Sequence, residues 1–186
     1  VYADNPNQPY LAYILTKIGN VYKDKGDYNQ ALNYLNKSFE AYKKVYANNI
    51  NHIDIATCLN NIGLVYFDKQ DFNTALEYYE NSYKIKKEIY ADNPNEPNLA
   101  SSLNNIGLVY YKKSDFDKAK DFYKKSYELY NKAYAKNPNH PSIANILNNI
   151  GLVYNKEGRY NTALEYFEES YEIKKKIHEN NLNHPD

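Results

Sequence analysis

The octapeptide LNNIGLVY occurs three times without change, at Leu59–Tyr66, Leu103–Tyr110 and Leu147–Tyr154, and an altered copy, LTKIGNVY, lies at Leu15–Tyr22. Gly19, Gly63, Gly107 and Gly151 are each 44 residues apart. The register continues into the linkers, where Tyr10, Asp54, Asn98, Ser142 and Asp186 are equivalent and Val1-Tyr2-Ala3 matches Val45-Tyr46-Ala47. A fixed period of 20–50 residues means a solenoid or a propeller, in which no unit buries its apolar face without its neighbours. The expected organisation is a single array over 1–186, with repeats at 10–46, 54–90, 98–134 and 142–178. Residues 1–9 and 179–186 read as linker pieces of flanking repeats in a longer array.

Inside one unit the apolar spacing is helical. Ile55, Cys58, Leu59, Ile62, Val65 and Tyr66 recur at three- and four-residue steps and form one stripe. Phe72, Ala75, Leu76, Tyr79, Ser82, Tyr83 and Ile89 form a second, after the polar break Asp68-Lys69-Gln70-Asp71. Asp54, Asn98 and Ser142 stand where a side-chain oxygen can cap the first helix, with Pro97 and Pro141 holding the entering chain extended. Each unit is therefore an antiparallel helical hairpin, and the chain is all-α. Glycine inside a helix costs about 1 kcal/mol relative to alanine, so Gly19, Gly63, Gly107 and Gly151 imply a close approach. Ala31, Ala75, Ala119 and Ala163 on the second helix are the expected small partners.

Composition narrows the function. The 23 basic residues balance 23 acidic ones, which argues against nucleic acid and against anionic lipid as partners. No apolar run reaches the ~18–20 residues of a membrane span, and the lack of a leader gives the cytoplasm as the expected location. A lone Cys58 excludes an internal disulfide and a cysteine-based zinc site. The histidines at 52, 140 and 184 are 44 or 88 residues apart on separate units, too far to share one ion. No phosphate loop or catalytic set interrupts the repeat. Neither a cofactor nor an enzyme activity is implied.

Leu59, Ile62-Gly63, Tyr66, Phe72, Ala75, Tyr79 and Ser82 together resemble the tetratricopeptide repeat over essentially the whole chain. The usual repeat has 34 residues. The longer second helix, the linker His140-Pro141-Ser142-Ile143-Ala144 and the Leu-Asn-Asn core resemble most the kinesin-light-chain subtype. The resemblance implies a right-handed α-solenoid whose first helices line a concave groove that binds a peptide of a protein partner.

The residues approach the same conclusion by another route. Opposite the packing stripe, the first helices carry Asn60, Asn61 and Leu64, then Asn104, Asn105 and Leu108, then Asn148, Asn149 and Leu152. Carboxamides in columns offer paired donors and acceptors to an extended backbone, and the leucines are expected to be exposed beside them. The same amides can instead serve as hydrogen bonds between repeats, leaving a structural spacer. The family's dicarboxylate clamp needs cations where this chain has Thr16 and Ser101, and a third is missing too, although Asn20 and Asn61 match. A receptor for acidic chaperone tails is thereby rejected. Lys17 and Asn20 set the first repeat apart, as specificity positions or as divergence. A hairpin stack with open ends is also expected to associate end to end.

Overall fold

The computed structural model describes residues 8–183, with side chains as far as residue 179. It contains eight α-helices and, among the described residues, no strand: α1 (Gln8–Asp24), α2 (Tyr28–Val45), α3 (Ile53–Asp68), α4 (Phe72–Ile89), α5 (Pro97–Lys112), α6 (Phe116–Ala133), α7 (Pro141–Lys156) and α8 (Tyr160–Asn183). Consecutive helices pair as four hairpins. The hairpins group into two compact units, Val1–Asp92 with α1–α4 and Asn93–Asp186 with α5–α8. In the first unit α2 packs on α3 around Ala12, Leu35, Tyr42, Ile55, Ile62 and Val65. In the second α6 packs on α7 around Tyr123, Tyr130, Ile143, Leu147, Ile150 and Val153.

Two kinds of contact hold each hairpin shut. The first is the approach at the helical glycine. A Cβ on Gly107 would lie 2.6 Å from the Tyr123 ring, and one on Gly151 would lie 2.7 Å from the Phe167 ring. At Gly63 the obstacle is Tyr79 at 2.9 Å, and at Gly19 it is Leu35 at 2.7 Å. The partner of the glycine is thus a large side chain one turn beyond the expected alanine. Ala31, Ala75, Ala119 and Ala163 are fully buried, and the ring, not the alanine, occupies the space the glycine leaves. The second contact is a serine. The hydroxyls of Ser38, Ser82, Ser126 and Ser170 donate to the carbonyls of Ala12, Ala56, Ala100 and Ala144 at 2.6–2.7 Å. Each buried hydroxyl is thereby satisfied while it ties the second helix to the first.

The helix ends depart from the expected caps. Asp27, Asp71 and Asp115 cap the second helices, accepting from the N–H three residues on at 3.1–3.3 Å. The first helices, however, begin before Asp54, Asn98 and Ser142. His52 and His140 are the N-caps of α3 and α7, each Nδ1 accepting at 3.2 Å from the N–H of Asp54 or Ser142. Glu96 holds that position in α5, without a side-chain cap bond. In α5 and α7 the reason is the proline: Pro97 and Pro141 occupy the first helical turn, where a missing N–H costs nothing. The capping imidazoles are held by aromatic stacks. Tyr46 lies 3.5 Å from His52 and Tyr134 3.5 Å from His140, ring centre to ring centre, with Tyr42 and Tyr130 stacked behind them.

At the other boundaries, α1 already includes Gln8 and Pro9, and α8 runs past the expected end at 178 to Asn183. His178 stands where Tyr46, Tyr90 and Tyr134 are the C-caps of α2, α4 and α6. Residues 1–7 and 184–186, including the third linker histidine, His184, lie outside the described residues.

Candidate functional site

Three columns of equivalent positions on the first helices were expected to carry function. Lys17 is exposed, with its ammonium 5.0 Å from the centre of the Tyr13 ring. Asn20, Asn60, Asn61, Asn104, Asn105, Asn148 and Asn149 are all half-buried. So are Leu64, Leu108 and Leu152, which corrects the expectation that they stand exposed. Leu108 packs against the core of its unit. It directly follows Gly107, where the second helix comes closest and draws its neighbour in. Leucines and amides are thus shielded to a similar degree along this face.

In the second unit these amides meet. The Asn149 Nδ2 donates to the Asn104 Oδ1 at 2.8 Å, linking α7 to α5. Beside them the Tyr130 hydroxyl shares a hydrogen bond of 2.8 Å with Ser101, whose Oγ also reaches the Pro97 carbonyl at 3.1 Å. Ser142 is a further partner of the same phenol. Burial raises the pKa of Tyr130, its largest influence, so the phenol keeps its proton at neutral pH. A small pocket of about 100 Å³ opens among Asn104, Tyr130, Ser142, Asn145 and Ile146. Its polar groups are uncharged amides and hydroxyls, suited to the N–H and C=O groups of a main chain and not to an ion.

The first unit differs. Thr16 occupies the column of Asn60 and Asn104, but its hydroxyl is spent on Ser38 at 2.7 Å and on the Ala12 carbonyl at 3.2 Å. Tyr42 stands where Tyr130 does, pushed up to about 12 first by burial and then by the charge of Asp54. The carboxylate of Asp54 accepts from the Tyr46 hydroxyl at 2.7 Å. The half-buried Asn61 side chain has no hydrogen-bond partner among the described residues. Cys58 is buried, donates to the Leu35 carbonyl at 3.3 Å, and burial pushes its thiol up to about 12, which makes it a packing residue and a poor nucleophile.

Sequence reasoning missed Tyr130, Ser142 and Asn145 as pocket residues, and treated Ser101 only as a missing cation. The legible signal was a run of polar residues (Thr57, Ser101, Asn145) one turn before the amide columns. Tyr130 gave none, because a tyrosine in the second stripe reads as core. Among the described residues, no three His, Cys, Asp or Glu side chains gather as metal ligands. No described helix is long and apolar enough to cross a membrane.

Comparison with known proteins matches this architecture. The family profile described as tetratricopeptide repeat fits residues 10–88, 54–132 and 98–176, in steps of 44. A search of curated proteins returns no match. Among solved structures, BtubC (BKLC) from P. vanneervenii superposes with a TM-score of 0.79 at 20% identity, over 100% of this chain and 70% of that one. Aspartyl phosphate phosphatase F from Bacillus subtilis gives 0.79 at 19% identity, over 93% of this chain and 42% of that one. The Rap conjugation gene regulator of plasmid pLS20, solved in complex with the Phr* peptide, gives 0.69 at 20% identity, over 87% and 42%. The chain spans less than half the length of these last two. At such identities the likeness concerns the fold, an α-solenoid of helical hairpins. The repeat profile covers most of the sequence, and the chain belongs to the tetratricopeptide-repeat family.

Proposed function

We propose that this chain is a non-catalytic protein-interaction scaffold that holds an extended segment of a partner protein against the amide-bearing faces of its first helices. The observation that carries this reading is the polar, uncharged pocket of the second unit. Asn104 and Asn145 border it, and Asn104 keeps its Nδ2 free of protein acceptors among the described residues while its Oδ1 is held by Asn149. An amide fixed in this way presents a donor in one orientation, so an incoming backbone carbonyl is bound at little ordering cost. Asn61, in the column of Asn105 and Asn149, offers an amide in the first unit, with Lys17 as the one cation in that column. The pLS20 regulator, of the same fold, is itself a peptide-bound protein, which supports the reading.

The Asn104–Asn149 bond also favours a second reading, a spacer in which the amides only join repeats. One experiment separates the two. The chain and its Asn61→Ala/Asn105→Ala/Asn149→Ala variant are panned against a random peptide display library, and both are melted. A scaffold selects peptides that the variant no longer holds, with the melting transition nearly unchanged. A spacer selects nothing, and the variant loses stability instead.

A further inference from the structure

The pocket beside Asn104 presents its hydrogens in a fixed order. Ser101 has one hydroxyl hydrogen and two neighbours, the Pro97 carbonyl at 3.1 Å and the Tyr130 phenol at 2.8 Å. A carbonyl only accepts, so the Ser101 hydrogen goes to Pro97 and the Tyr130 hydrogen goes to Ser101. The phenol oxygen is then an acceptor towards its remaining partner, and Ser142 donates to it. That spends the only side-chain hydrogen of Ser142 and leaves its oxygen with a free lone pair. The Asn149 amide, meanwhile, holds the Asn104 Oδ1 at 2.8 Å, which leaves the Nδ2 hydrogens of Asn104 to the pocket. One lining group is thus a donor without choice, and another is an acceptor without choice.

Space and charge narrow what can use both. The pocket of about 100 Å³ is walled by Asn104, Tyr130, Ser142, Asn145 and Ile146, none of them charged. That is room for about three waters at roughly 30 Å³ each, or for an end group of three heavy atoms. A trans peptide unit points its C=O and N–H in opposite directions, so a main chain passing the pocket satisfies one of the two groups and not both. A primary carboxamide carries its oxygen and its NH₂ on one carbon, facing the same way. A carboxylate has the same shape but no hydrogen. It sets an oxygen against the Ser142 lone pair, and no cation in the walls offsets that or the loss of water. An ammonium meets the Asn104 hydrogens instead.

We propose, resting on the scaffold reading, that this pocket takes a carboxamide side chain, Asn or Gln, of the segment held by the first helices and so fixes the register of that segment. The first unit does not repeat the arrangement. There, 88 residues earlier, Thr16 stands for Asn104 and Asp54 for Ser142. The Thr16 hydroxyl is engaged with Ser38 and Ala12, and the Asp54 carboxylate accepts from Tyr46. The preference therefore belongs to the second unit.

A random dodecapeptide display library panned on the 186-residue chain tests this, followed by fluorescence anisotropy of one selected, labelled peptide. The selected peptides are expected to share an Asn or Gln at one aligned position. Replacing that residue by Asp is expected to weaken binding about tenfold or more, the loss that follows from an unpaired buried polar group. Ser142→Ala removes the acceptor, so it weakens the Asn peptide and leaves the Asp peptide no weaker. Tyr130→Phe returns the Ser142 hydrogen to the pocket, so the Asp peptide gains on the Asn peptide. A purely structural role of either residue weakens both peptides alike and overturns the proposal. Ser142→Ala, at a half-buried hydroxyl, decides the matter if the phenylalanine variant melts early. Binders with no shared Asn or Gln, or an Asp peptide that binds as well as its parent, overturn the preference and leave the scaffold standing. A library that yields no binder removes the scaffold reading itself, and the preference with it.

Discussion

The turn inside each hairpin shows how a single residue carries strain. Gly26 and Gly158 adopt φ of 77° and 75°, and the equivalent Gln70 and Ser114 are forced to 63° and 61°. An L-residue in the left-handed region costs about 1–2 kcal/mol, partly offset by the extra freedom glycine loses on folding. Gln70→Gly is therefore expected to stabilise the chain by about 0.5–1 kcal/mol, read as a higher midpoint of urea denaturation with unchanged slope. At the helical glycine the direction reverses. A methyl at Gly107 meets the rigid Tyr123 ring at 2.6 Å, so Gly107→Ala is expected to cost about 1–3 kcal/mol by the same measurement, although alanine is the better helix former.

At the scale of elements, the joint between α6 and the last hairpin depends on a charge pair where the other copies have none. Lys120 bonds Glu157 and Asp117, with both Lys120 and Glu157 side chains about four-fifths shielded from water. Lys120→Ala strands the Glu157 carboxylate and is expected to cost about 1–2 kcal/mol, between the values for exposed and fully buried pairs. Adding Glu157→Lys to Lys120→Leu, the pattern of the other copies, should recover most of that loss in thermal denaturation. The sequence made the hairpins legible because a 44-residue period repeats every apolar stripe. It did not reveal which atoms close them. The buried serines sat in plain view at the same period, but a serine in an apolar stripe looks like a tolerated substitution until its carbonyl partner 26 residues earlier is seen. The caps at His52 and His140 were not legible because an imidazole acceptor is a rarer cap than a carboxylate, and the stacked Tyr46 and Tyr134 that hold each ring come from the preceding hairpin.

At the scale of the whole molecule, buried phenols and a buried thiol link stability to alkaline pH. Burial raises Cys58 from 9.0 to about 12 and Tyr42 from 10.0 to about 12, and Tyr79 and Tyr123 rise for the same reason. Each is an acid whose folded pKa lies above its unfolded one, so its contribution is complete below the unfolded value and is lost as pH climbs towards the folded one. Stability is expected to be level between pH 7 and pH 9, the ordinary Cys58 value, and to fall steeply through pH 10–12, the ordinary and shifted values of Tyr42. Denaturant midpoints measured across that range check the sign. The amide columns were legible in outline, since their residues are consecutive in a repeated octapeptide. Their division of labour was not, because it depends on Asn149 reaching Asn104 across two helices and on Tyr130 arriving from a third. The most direct test of the scaffold reading is to follow the side-chain NH₂ resonances of the asparagines by NMR while a selected peptide is added. Asn61, Asn104, Asn105 and Asn149 are expected to shift, and the amides of α4 and α8 are not. A peptide that perturbs Asn73 and Asn161 on the second helices, leaving the first-helix columns untouched, would contradict it.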